Sequence, residues 1–238
     1  MSASRTILIT GVSSGIGRSL ALEFARKGDR VVGLARDRKR LKALEGEIRA
    51  AGGNGIMLPC DVRVERQVRD AVKKGTAGRG VDILINNAGV TSFGDFLSTP
   101  VERFSMILDT NLKGAMIVTR AVLPLMVKRR KGAIMSIVSY AAKTVYQGSS
   151  AYSAAKSGLA GMMNVIREEI RSSGVKVMNV YPGAILTPMW SPKQRSLFKN
   201  VMIPSEDFAA MLYDLTVQPD SMTLEEVVVR PPIGDLRV

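Results

Sequence analysis

Tyr152 and Lys156, in the run Ala151-Tyr152-Ser153-Ala154-Ala155-Lys156, are spaced so that a helix would put both on one face. A free phenol ionises near pKa ~10, poorly matched to proton exchange at neutral pH. A neighbouring ammonium would lower that value and let the tyrosine give or take a proton at a carbonyl or alcohol oxygen. The same spacing also occurs as an ordinary surface pair, so the reading needs companions. Composition narrows the field. The chain has no histidine and one cysteine, Cys60, which excludes a Ser-His-Asp triad, a His-ligated metal and a thiolate zinc centre. Acid–base chemistry falls to Tyr, Lys, Asp, Glu or Cys, and no metal is expected.

A second cluster suits phosphate binding. An apolar run at Thr6–Thr10 leads into Gly11-Val12-Ser13-Ser14-Gly15-Ile16-Gly17 and then an amphipathic stretch. Glycines there allow a tight turn, a close approach of backbone to a pyrophosphate and close packing of helix on strand, with the helix N-terminus facing the phosphates. Alone the motif is weak, because a glycine-rich turn can bind nothing. Its place between a strand and a helix makes a dinucleotide site the better reading. At the end of the next apolar run, an acid would select the ribose hydroxyl of NAD; the sequence instead reads Ala35-Arg36-Asp37. Arg36 offers paired donors to a 2′-phosphate, which favours NADP(H) over NAD(H). Asp37 fits a helix N-cap better than a ribose acceptor. Asp61, after a third run ending Leu58-Pro59-Cys60, could accept from an adenine amino group or simply cap a helix.

These residues need a scaffold. Apolar runs at Thr6–Thr10, Arg30–Leu34, Asn54–Pro59, Val81–Asn86, Ala133–Val138, Val175–Val180 and Glu226–Val229 read as strands. Amphipathic segments at Gly15–Lys27, Arg38–Ala51, Val64–Lys74, Val101–Arg130, Ala151–Ser173 and Ser205–Thr216 read as helices, the long one kinked at Pro124. Such alternation predicts an α/β fold: a single-domain, Rossmann-type, doubly wound parallel sheet with helices on both faces. No composition shift or linker divides residues 1–238. The proline-rich stretch Pro182–Pro204 reads as a long structureless loop after a strand end, a place where open α/β sheets bind ligands. A substrate lid is expected over about 184–204.

The chain has 238 residues, 46% apolar and 23% charged, enough for a substantial core and unlike a disordered or disulfide-stapled protein. The single cysteine requires no oxidising compartment. Neither a signal peptide nor an apolar stretch of membrane-spanning length is visible, so a cytoplasmic protein without membrane association is expected. Net charge is +13, which attracts anions. Aromatic residues are not interleaved with the basic clusters, and no nucleic-acid partner is expected.

Taken together and in order, the glycine turn, Asn86-Asn87-Ala88-Gly89, Ser139, Tyr152 with Lys156, and Tyr181-Pro182-Gly183 closely resemble the classical short-chain dehydrogenase/reductase family over essentially the whole chain. The resemblance implies a nicotinamide cofactor, with Tyr152 as general acid/base and Lys156 holding the nicotinamide ribose and lowering the tyrosine pKa. It implies that Ser139 polarises the substrate oxygen and that Asn111 holds a water in a proton relay. Ser136 competes with Ser139 for the serine role, and spacing to Tyr152 favours Ser139. Cofactor contacts are implied for Gly11, Ser13, Ser14, Gly15, Ile16, Gly17, Arg36, Asp61 and Val62. Others are implied for Asn87, Ala88, Gly89, Tyr152, Lys156, Pro182, Gly183, Ile185 and Thr187. Tyr140, polar and aromatic beside Ser139, departs from a common family pattern. Substrate walls are expected from Val90–Phe96, Tyr140–Gly148 and Met189–Phe198, with Ser139, Tyr140, Tyr146, Met189 and Trp190 as lining residues. Lys143, Lys193 and Arg195 could make that pocket cationic and suited to a small hydroxy acid, or could be ordinary solvated rim. The function expected is an NADP(H)-dependent oxidoreductase interconverting an alcohol and a carbonyl compound; the alternative is a catalytically silent dinucleotide sensor. By the same resemblance the chain forms a homodimer or homotetramer.

Overall fold

The computed structural model describes residues 4–236. Along the chain run β1 (Thr6–Thr10), α1 (Gly15–Arg26), β2 (Arg30–Ala35), α2 (Arg38–Ala50), β3 (Asn54–Pro59), α3 (Glu65–Thr76) and β4 (Ile83–Asn86). There follow α4 (Val101–Leu108), α5 (Gly114–Arg129), β5 (Gly132–Ile137), α6 (Ser150–Glu169) and β6 (Val175–Pro182). The last elements are β7 (Ile185–Leu186), α7 (Pro192–Phe198), β8 (Ile203–Pro204), α8 (Ser205–Leu215) and β9 (Glu226–Val229). Seven strands form one sheet in the order β3-β2-β1-β4-β5-β6-β9, every pair parallel. The order reverses direction between β1 and β4, which opens a crevice at the carboxyl ends of those strands.

Alternation along each strand sorts side chains between two cores. Leu8, Val32, Leu84 and Ile134 point to the face covered by α3, α5 and α6, where they meet Val72, Val118 and Met163. Ile7, Ile9, Val31, Ile83 and Ile85 point to the face covered by α1, α2 and α8, where they meet Phe24, Leu44 and Phe208. Burial on both faces explains the near-continuous apolar runs of the strands. Among the described residues no helix is long and apolar enough to cross a membrane, and no group of three or more His, Cys, Asp and Glu could hold a metal.

Two expectations about elements need correction. Residues 101–129 form one continuous helical run, but its middle, Asp109–Lys113, is a π-helical turn. There Thr110 Oγ1 donates to the Met106 carbonyl and Asn111 Nδ2 to the Ile107 carbonyl, each 2.9 Å and four residues back. Side-chain donors thus take carbonyls that the regular ladder would use. The helix then runs on past Pro124 to Arg129. Likewise, residues 182–204 are not structureless. They contain α7, closed at its start by a capping box in which Ser191 Oγ accepts from the Gln194 amide and Gln194 reaches back to the Ser191 amide. The base of this segment is clipped by pairing of β7 with β8.

Candidate active site

A cavity of about 700 Å³ opens at the carboxyl ends of β1, β4, β5 and β6. Its floor is the turn after β1. Gly11 has φ of +77°, and a Cβ there would lie 2.8 Å from the Ala88 Cα. At Gly17 a Cβ would lie 2.3 Å from the Gly11 carbonyl oxygen, so only glycine lets α1 start against the turn. The turn after β4 is tied to the end of β1: Asn87 Nδ2 donates to the Thr10 carbonyl at 2.9 Å, and the amides of Asn87 and Ala88 donate to Thr10 Oγ1 at 3.0 and 2.9 Å. Asn86 Nδ2 donates to Thr119 Oγ1 at 3.0 Å, fastening α5 to the same strand.

Every residue assigned to cofactor or catalysis from the sequence lines this cavity except Gly17, which stands behind the turn and packs it, and so do the substrate candidates Ser139, Tyr140, Tyr146, Met189 and Trp190. Arg36 lies exposed at the adenosine end. Asp37 caps α2, accepting from the Arg40 amide at 3.0 Å. Asp61 is already engaged: Arg63 Nη2 reaches its Oδ2 at 2.6 Å, and Nε lies 3.0 Å from its Oδ1. That bond holds the Asp61 carboxyl below its usual range, with the Arg36 charge adding to the effect. Arg63 therefore adds a second guanidinium to the cavity lining that Arg36 joins, a feature the sequence reading missed because the pairing with Asp61 depends on the turn after β3.

At the other end, Ser139 follows β5 and lines the cavity, whereas Ser136 is fully buried inside β5. Ser139 Oγ accepts from the Ala141 amide at 3.1 Å, which leaves its own proton to donate. Tyr152 and Lys156 come from the first turns of α6, on one face as the spacing required. Lys156 is buried, its Nζ donating to the Ile137 carbonyl at 2.8 Å and lying 5.7 Å from the Tyr152 ring centre. Burial pushes the Lys156 ammonium down to about 8. The phenol differs from expectation. Burial holds the Tyr152 pKa above its ordinary value, and the Ser139 side chain draws it back part of the way. Desolvation outweighs the ammonium here because Lys156 is directed to a carbonyl rather than at the phenol oxygen. Asn111, in the π turn, donates to the Val90 and Ile107 carbonyls at 2.8 and 2.9 Å, and its buried Oδ1 is left without a protein partner.

Of the two readings open for Lys143, Lys193 and Arg195, the cavity lining agrees with the one that keeps them out of the pocket. Lys143 pairs with Glu226 at 2.7 Å and lies over the Tyr181 ring, and neither Lys193 nor Arg195 lines the cavity. Trp190 is fixed by donation from Nε1 to the Ile185 carbonyl at 3.0 Å. Gln194, on α7, lines the cavity within the wall expected over Met189–Phe198, whereas Asp235 and Leu236, from the chain's last described residues, escaped the sequence reading. Neither has a motif signal, since only tertiary contacts such as that of Asp235 with Tyr146 bring this segment to the cavity.

A family model described as short chain dehydrogenase matches residues 5–197. The chain belongs to the short-chain dehydrogenase/reductase family. It is 34% identical to a sepiapterin reductase of Chlorobaculum tepidum over 97% of this chain and 98% of that protein. A metagenomic short-chain oxidoreductase solved with NADP superposes with a TM-score of 0.84 at 33% identity, covering 97% of this chain and 99% of that one. A variant of the actinorhodin polyketide ketoreductase solved with NADPH gives a TM-score of 0.89 at 28% identity, over 98% of both chains. The family membership makes the chain an oxidoreductase, and the glycine cradle, the ordered turn after β4 and the exposed Arg36 fit a nicotinamide dinucleotide lying along the cavity.

Proposed function

We propose that this protein reduces a ketone or aldehyde to the alcohol with NADPH, with Tyr152, Ser139, Lys156 and Asn111 as its catalytic set. One observation carries the reading: Ser139, Tyr152 and Lys156 face a single cavity whose far end is a glycine cradle flanked by two guanidiniums. When bound, the cofactor supplies the hydride. Ser139, with its proton left free by the Ala141 amide, donates to the substrate oxygen, an oxyanion-type stabilisation worth about 3 kcal/mol for one donor. Tyr152, held protonated by burial, gives its proton to that oxygen as it becomes an alkoxide. Lys156 holds the ribose hydroxyls and returns charge to the phenol's side of the site. The orphaned Oδ1 of Asn111 provides an acceptor for a relay water. Arg36 and Arg63 supply the 2′-phosphate contacts that select NADPH.

Two relatives support different carbonyl substrates, a pterin and a polyketide. The higher identity to the former, 34% against 28%, makes a pterin-linked carbonyl the first to assay. The absence of Lys143, Lys193 and Arg195 from the cavity lining speaks against a small hydroxy acid. The intact catalytic set favours an enzyme over a sensor. A homo-oligomer built on α5 and α6 is supported by exposed Leu125 and Val127 on the one and Val165 on the other. Sepiapterin, simple aldehydes and ketones are mixed with NADPH or NADH and followed by the loss of reduced-nicotinamide absorbance. Turnover with NADPH well above NADH is expected; no turnover of any carbonyl with either cofactor overturns the reading.

A further inference from the structure

The cavity has a second polar cluster that neither the proton transfer nor the nucleotide cradle uses. Tyr146 Oη donates to Asp235 Oδ1 at 2.6 Å, and Arg230 Nη2 lies 3.0 Å from Asp235 Oδ2. The Arg230 guanidinium also lies 4.1 Å over the Tyr140 ring. Tyr146 and Asp235 line the cavity with Ser139 and Tyr152, while Arg230 does not reach it. The Tyr146 main chain is fixed as well, its carbonyl accepting from Ser149 Oγ at 2.6 Å at the head of α6.

The protons at this wall are all committed. Tyr146 has one, directed at Asp235, so its oxygen can only accept from anything in the cavity. Burial and the Asp235 carboxylate keep that proton on the phenol. Asp235, in its ion pair with Arg230, has only lone pairs left to offer. The Arg230 charge is matched by Asp235 and stacked on Tyr140, behind the lining.

We propose that Tyr146 and Asp235 form an acceptor-only wall that selects carbonyl substrates bearing N–H or O–H donors at the end remote from the carbonyl, and rejects those bearing a carboxylate there. The proposal rests on the reductase reading for the position of the reacting carbonyl at Ser139 and Tyr152. A donor group exchanges its water for two fixed acceptors. A carboxylate meets lone pairs on both sides and a like charge, and leaves wall acceptors unpaired. Sites built to pair a polar group discriminate strongly against analogues that cannot make the bond.

Two aldehydes of nearly equal shape test this: para-formylbenzamide, with two N–H donors, and para-formylbenzoate, with none. kcat/KM with NADPH is expected to be about tenfold higher for the amide, the difference lying in KM. Asp235→Asn should shrink that ratio below about twofold, the Asn amide supplying the donor that the wall lacks, while Tyr146→Phe, which removes one acceptor and leaves the carboxylate, should lower it less far. Binding of the same two compounds is read from the fluorescence of the chain's one tryptophan, Trp190, which lines the cavity. A carboxylate bound or reduced as well as the amide overturns the proposal, as does a ratio that survives both substitutions. If neither aldehyde is reduced yet the fluorescence ranks the amide first and Asp235→Asn erases the ranking, the wall stands and the reductase reading falls. If both are reduced equally, the reverse holds.

Discussion

Proton chemistry in this site turns on a phenol and an ammonium whose burial pushes them in opposite senses: Tyr152 is kept protonated and Lys156 is brought down to about 8. For carbonyl reduction the phenol is needed as the acid, so its raised pKa leaves it competent through the neutral and mildly alkaline range. Lys156 is charged below about 8 and neutral above it. kcat/KM for reduction should therefore be level at lower pH and fall as pH rises through about 8, and Lys156→Met should abolish that limb in a pH–rate profile. Replacing the acid itself, Tyr152→Phe, should lower kcat by about a thousandfold while the NADPH Kd moves less than about threefold, measured by nicotinamide fluorescence; general acid catalysis of this kind contributes on the order of a hundred- to ten-thousandfold. At the adenosine end, Arg36→Leu should raise the KM for NADPH at least tenfold and leave that for NADH nearly unchanged, with Arg63→Leu acting in the same direction. A cofactor preference untouched by both would remove the guanidiniums from phosphate recognition. These residues were legible because each stands in a local motif whose chemistry dictates its spacing. Arg63 and Asp235 were not, since the one acts through a turn and the other through a tail brought in by tertiary contacts.

Elements position these groups by a few specific devices. The strand and helix pattern was readable to within a residue or two at most ends, because two-sided burial writes continuous apolar runs and helices write amphipathic ones; α6 is the exception, ending at Glu169 rather than Ser173. Two local departures were not readable. The π turn at Asp109–Lys113 depends on Thr110 and Asn111 side chains taking backbone carbonyls, and one of those bonds runs to Val90 outside the helix. The helix α7 is short, with no buried residue to mark a periodic face, and four prolines over residues 182–204 hid it. Its capping box is the main local support it has. Ser191→Ala should cost that helix about 1 kcal/mol, enough to fray a two-turn element. Because Gln194 and Trp190 line the cavity beside it, the measurable outcome is a severalfold rise in substrate KM with kcat and global Tm little changed. A fall in Tm of several degrees instead would mean that α7 supports the core rather than the lid.

Across the whole molecule, the excess of 34 basic over 21 acidic residues gives a field that the fold itself does not require. Many of the acids are already matched in ion pairs, such as Arg5 with Asp29 at 2.6 Å and Arg171 with Glu225 at 2.9 Å. The cations at the start of α2 are exposed: Arg38 and Lys39, with Arg40 beside Asp37 at 3.3 Å, follow closely on Arg36 in sequence. A multiply charged anion approaching the adenosine end therefore descends a positive potential before it touches the cavity. Steering of this kind raises association rates and weakens steeply with ionic strength, whereas contacts within the site are screened far less. The association rate constant of NADPH, measured by stopped-flow nicotinamide fluorescence, should accordingly fall severalfold between about 20 and 200 mM salt, where the Debye length shrinks from roughly 20 to 7 Å. The dissociation rate should change little over the same range. Replacing Arg38, Lys39 and Arg40 together by glutamine should flatten the salt dependence of association while leaving the rate at high salt nearly the same. An unaltered slope in that triple variant would place the steering charge elsewhere on the surface.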